Sequence, residues 1–269
     1  MANPIAPSAP GATAAGLQAC GIDVAFAGLR ALNAVDLRVP PATIVGLIGP
    51  NGAGKTTMVN ILTGFQAPSD GEVRLDGKSL AGVSAVDFRR RGIARTFQGG
   101  RLFRDLGVLD NLEVTGIGLG LSRRVARVEA SQVLEAMGLG ALAAQQAGAL
   151  PYTDERRIAI ARAIVGRPRY LLLDEPAAGM SEHEAGELSE LIARLVRELG
   201  CGVLLIEHNV RMVLDTCSHI VVLDSGQVIE SGDPRTVSQS ERVRHAYMGT
   251  TADVHGGVES VEREREVAA

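Results

Sequence analysis

The chain has 269 residues, a net charge of −4 and a hydrophobic share of 46%, which allow one large domain or two small ones with a sizeable core. No apolar run approaches the roughly 18 residues needed to cross a bilayer, and Cys20, Cys201 and Cys217 are too far apart for a metal-site spacing. The negative balance argues against an electrostatic grip on nucleic acid.

Residues 1–16, rich in Pro, Ala and Gly, read as a disordered leader. The first cation is Arg30, so the start lacks the charged head of a signal peptide and a cell-interior setting is expected. The apolar run Ile44 to Ile48 reads as a strand, followed by a glycine-rich turn and a helix from about Lys55 to Thr63. Residues 71–75 alternate like an exposed strand that Asp76-Gly77 turns. From about 101 to 168 strand signals are scarce and helical ones common. Apolar strands return at 170–173 and 203–206, each followed by a helical stretch, and 220–223 and 227–230 pair as a hairpin across Asp224-Ser225-Gly226. Residues 251–269 read as a charged, solvated tail. The whole is an α/β core with a helical insertion.

Gly49-Pro50-Asn51-Gly52-Ala53-Gly54-Lys55-Thr56-Thr57 fits GxxxxGK[ST] between a strand and a helix. Glycines let the backbone wrap phosphate oxygens, and the helix N-terminus adds partial positive charge there. Lys55 is the residue to meet the β- and γ-phosphates, and Thr56 to bind Mg²⁺. Only Lys55 and Lys78 are lysines among 27 basic residues, so a lysine retained in this loop is informative. Tyr170 to Glu175 supplies the second half of a nucleotide site: a buried strand that ends on two acids, Asp174 for Mg²⁺ and Glu175 to polarise the attacking water. Gln98 and His208 each follow a short apolar stretch, where a polar side chain at a strand end can reach a γ-phosphate.

This set, in this order, resembles an ATP-binding cassette subunit over nearly all of residues 17–250. Walker A is Gly49 to Thr57, the Q-loop Gln98, Walker B Leu171 to Glu175 and the switch His208. The strings ARTFQ, RLF, DNL, DEPAAGM and IEHN resemble the LivG-like ATPases of branched-chain amino-acid importers. The resemblance implies a P-loop NTPase fold of ABC type: a RecA-like core, an antiparallel β subdomain and a helical subdomain at about 101–168. It also implies ATP and Mg²⁺ as cofactors, with Thr56, Gln98 and Asp174 toward the metal and Glu175, His208 and Gln98 catalytic. Phe26 takes the place of the aromatic that stacks on adenine, and Asn51 and Gly52 shape the loop. Where many cassettes carry an Asp after Walker B, this chain has Ser181.

In this family each ATP is completed by the signature of the opposite subunit. The aligned residues here are Pro151, Tyr152, Thr153 and Asp154 in place of Ser-Gly-Gly-Gln. Pro151 has no N–H or hydroxyl to donate, and the β-branched Thr153 obstructs the close approach glycine allows. Asp154 and Glu155 favour a helix start but repel an incoming phosphate, and Thr153 is the expected N-cap. The partner's ATP, not this chain's own, is therefore the one in doubt.

The implied partners are a second cassette ATPase (a heterodimer favoured over a homodimer), two transmembrane permease subunits and, indirectly, a solute-binding protein, at the cytoplasmic face of the inner membrane. The docking surface is expected beside Gln98 and after Phe103. Two other readings are a soluble, non-transport cassette ATPase and a regulatory subunit with weak hydrolysis.

Overall fold

A computed structural model describes residues 15–26, 29–97 and 99–248. The chain opens with β1 (Leu17–Phe26) and β2 (Leu29–Val39), an antiparallel pair. β3 (Ile44–Ile48) runs into the glycine-rich loop and α1 (Lys55–Leu62). β4 (Asp70–Leu75) and β5 (Lys78–Ser79) return to the first pair, giving a four-stranded antiparallel sheet in the order β2-β1-β4-β5. After α2 (Ala85–Arg90) and β6 (Ile93–Arg95) come three helices, α3 (Val108–Gly118), α4 (Arg123–Ala136) and α5 (Tyr152–Ile164). β7 (Tyr170–Asp174), α6 (Glu182–Leu199), β8 (Gly202–Ile206) and α7 (Val210–Thr216) follow. The described chain closes with the hairpin β9 (His219–Asp224) and β10 (Gln227–Gly232), then α8 (Pro234–Gln239) and α9 (Glu241–Met248).

The second sheet has six strands in the order β10-β9-β3-β8-β7-β6, parallel except for the β9–β10 hairpin. Every residue of β3, β7 and β8 is buried, which is why they read as unbroken apolar runs and not as alternations. Their side chains still alternate between two cores. Tyr170 and Leu172 join α1 and the antiparallel sheet, while Leu171 and Leu173 join the layer of α5 and α6. Two cores on one central sheet hold the β subdomain and the helical layer in place around it.

β3, β7 and β8 are adjacent and parallel, so their carboxyl ends emerge side by side. Glycine loop, Asp174-Glu175 and Glu207-His208 all follow those ends, the place where open parallel sheets bind ligands.

Candidate nucleotide site

The loop after β3 depends on glycine at two points. A Cβ on Gly49 would lie 2.0 Å from the Leu223 carbonyl oxygen, and one on Gly54 2.6 Å from that of Ala31. Both have positive φ, 151° and 103°, so a side chain there meets backbone and strain together. Gly54 caps α1, leaving the N–H groups of the helix start without a side-chain partner. Those groups are an anion site by construction.

Lys55 is buried, and its ammonium folds back to donate to the carbonyls of Gly49 (2.7 Å) and Pro50 (3.0 Å). Burial holds its pKa below the usual lysine value, while the Glu175 and Asp174 carboxylates pull the other way. Thr56 is exposed and Thr57 half-buried in the first turn of α1. Asn51 and Gly52 are exposed at the tip of the loop.

Asp174 ends β7, buried, with its N–H donating to Thr96 Oγ1 at 3.1 Å. Burial raises its pKa, and Arg95, whose Nη2 donates to Oδ2 at 3.2 Å, opposes that rise. Glu175 has a left-handed backbone (φ 50°), uncommon without glycine, and its N–H is held by the Ile206 carbonyl at 2.9 Å. This kink turns its carboxylate toward β8, where Oε1 lies 2.9 Å from His208 Nε2. Residues 33 positions apart in sequence thus form one acid–imidazole pair, consistent with a base oriented by a second group.

Glu207 was not among the expected site residues. Its carboxylate is buried and accepts from the backbone N–H of Ala177 (2.7 Å) and of His208 (3.2 Å). It therefore ties the segment after Walker B to the switch histidine; burial pushes its pKa up against those two bonds. Tyr247 on α9 is a second addition: burial raises its phenol to about 12, and the Gly49 backbone opposes that rise. Phe26 is 51% exposed, which removes it from the core. Gln98 lies outside the described residues.

The signature region departs from expectation in one respect. Pro151, not Thr153, is the N-cap of α5, and it makes no side-chain cap bond. Proline's fixed φ starts the helix early. Thr153 then falls inside the first turn, and its hydroxyl donates to Glu184 Oε1 at 2.8 Å. Asp154 and Glu155 occupy the same turn. Tyr152 is half exposed, with the Arg156 guanidinium 4.8 Å over its ring. Glu184 is itself the N3 residue of a capping box with Ser181 at the start of α6.

Comparison with known proteins agrees with this geometry. The ABC transporter family profile matches residues 32–178. The chain is 41% identical over 248 residues to the high-affinity branched-chain amino acid transport ATP-binding protein BraF of Pseudomonas aeruginosa, covering 87% of this chain and 97% of that one. It is 42% identical over 244 residues to the corresponding protein LivG of Escherichia coli K12, covering 85% and 96%. Among solved structures, the ADP conformation of MJ1267, an ATP-binding cassette of an ABC transporter, superposes with a TM-score of 0.80 at 28% identity, covering 87% of this chain and 98% of that one. The chain belongs to the ABC transporter family of ATP-binding proteins and is an ATPase.

Proposed function

We propose that this ATPase energises import of branched-chain or related amino acids through separate membrane permease subunits, paired with a second cassette. The observation that carries the reading is a hydrolytic half-site of Lys55, Asp174 and the Glu175–His208 pair at 2.9 Å, in a chain more than 40% identical over nearly its full length to two branched-chain amino-acid transport ATPases. Among the described residues no helix is long and apolar enough to cross a membrane, and Phe65 (packed edge-on against Phe97), Phe103 and Leu106 are exposed and offer apolar contact. That supports peripheral docking on permeases at the inner face of the membrane.

Each residue has a role in this scheme. The loop N–H groups and Lys55 bind the phosphates, which requires Lys55 to leave the two carbonyls it now holds. Thr56 and Asp174 fit magnesium, since the pair is all oxygen and magnesium takes one or two protein oxygens beside phosphate and water. That ion supplies charge neutralisation at the phosphoryl group. Glu175 takes the proton of the attacking water, and His208 fixes the Glu175 carboxylate. Phe26 stacks on the base, and Gln98 joins the metal side.

Thr153 spends its hydroxyl on Glu184, and Asp154 and Glu155 flank it, so this signature is a poor clamp for the partner's ATP. A heterodimer then carries one strong and one weak site. The test is reconstitution with co-purifying permeases in vesicles: ATP is expected to drive uptake of labelled leucine, and Glu175→Gln to abolish it by at least 100-fold. Robust turnover with no membrane protein attached would support a soluble ATPase instead. ATP bound without single-turnover hydrolysis would support a regulatory subunit.

A further inference from the structure

Arg95, at the end of β6, has no part in the scheme above, yet it touches the magnesium side of the site. Its side chain is 7% exposed. Nη2 donates to Asp174 Oδ2 at 3.2 Å, Nη1 to Asn60 Oδ1 at 2.7 Å, and Nε to the Thr96 carbonyl at 3.2 Å. The guanidinium lies 4.5 Å from the Phe97 ring centroid and 5.5 Å from that of Phe65, so aromatic faces hold it where water would otherwise solvate it. A buried carboxylate left without a cation is costly. Lys55 is engaged with the carbonyls of Gly49 and Pro50, so among the described residues Arg95 is the cation paired with Asp174.

We propose that Arg95 is the resident counter-cation of Asp174, and that its charge, held 3.2 Å from the carboxylate, lowers the affinity of the site for magnesium. The proposal rests on the assignment of Asp174 to magnesium. Removing Arg95 has two opposed effects. Lost orientation weakens metal binding, and lost repulsion between two cations on one carboxylate strengthens it. The position of Asp174 at the strand end survives, because its backbone is fixed by pairing with Ile206 of β8 and by its N–H donating to Thr96 Oγ1. Repulsion in a poorly solvated site is therefore the larger effect.

The experiment is a magnesium titration of trinitrophenyl-ATP binding, with EDTA as baseline, on wild type, R95Q, R95K and D174N. R95Q is expected to lower the magnesium midpoint about fivefold, the small end of typical coupling between two ligands, with affinity in EDTA unchanged. R95K keeps the charge and stays near wild type. A residue that only supports the fold would shift both baselines alike. An R95Q midpoint equal to or above wild type, while D174N raises its own, overturns the role of Arg95 alone. An unshifted D174N overturns the magnesium assignment and the proposal with it. If R95Q unfolds without ligand, magnesium with ATP is expected to restore its circular dichroism and ATP in EDTA is not; restoration by both, or by neither, overturns it.

Discussion

Glu207 carries two backbone N–H groups on one buried carboxylate, and this sets what a substitution does. Glutamine offers one acceptor oxygen for two donors, so Glu207→Gln leaves one N–H unpaired at a cost of about 1–3 kcal/mol. The wild-type carboxyl has its pKa raised above 4.5 by burial. A raised carboxyl stabilises the fold below its unfolded pKa, and that contribution fades as pH rises through the folded value. Urea unfolding from pH 4.5 to 8 is therefore expected to show Glu207→Gln less stable throughout, with the gap narrowing as pH rises. A gap independent of pH would contradict this account of the carboxyl. Glu207 and Arg95 were not legible beforehand, since an acid or arginine beside an apolar run looks like an ordinary strand end. Lys55, Asp174 and Glu175 were legible because their chemistry is local: a loop and a strand tip that need particular residues at fixed spacing.

At the scale of elements, the start of α6 explains Ser181. Its side chain accepts from the Glu184 N–H, and Glu184 returns a bond to the Ser181 N–H, the S-x-x-E pattern that is readable in sequence. Three hydrogen bonds, from the Ser181 backbone, the Ser181 hydroxyl and the Thr153 hydroxyl, hold Glu184 down at about 2. Its stabilising contribution is present above 4.5 and lost as pH falls toward 2. Ser181→Ala is expected to cost about 1 kcal/mol, to lower the melting temperature by about 3 °C, and to move the Glu184 titration toward 4.5 in carboxyl NMR. An unmoved titration would show that the cap is not what holds the charge. Helix α5 was readable as an element but its first residue was not. Hydroxyl preference favours Thr153 as a cap, whereas a proline in extended backbone already ends the incoming loop at Pro151. The long contact between Thr153 and Glu184 depends on how α5 and α6 pack, which no local pattern encodes.

Across the molecule, one parallel sheet brings three strand ends together, and the rest of the fold holds that sheet from both faces. This much follows from apolar runs, turn residues and the order of motifs. Contacts that cross the layers, such as α9 reaching Gly49 through Tyr247, appear only in three dimensions. The proposed function separates two tasks on one chain: a hydrolytic half-site at the carboxyl ends of β3, β7 and β8, and a signature helix start proposed to face another subunit's nucleotide. The first has Lys55, Asp174, Glu175 and His208 among the described residues, and the second carries threonine and acids at the start of α5. The direct measurement is steady-state ATP turnover of wild type and Thr153→Gly, each alone and each mixed with a second cassette bearing an intact signature. The account predicts slow turnover alone, about tenfold faster turnover on mixing or on Thr153→Gly, and little further gain from combining the two. Fast turnover by wild type alone, unchanged by Thr153→Gly and by the second cassette, would contradict it.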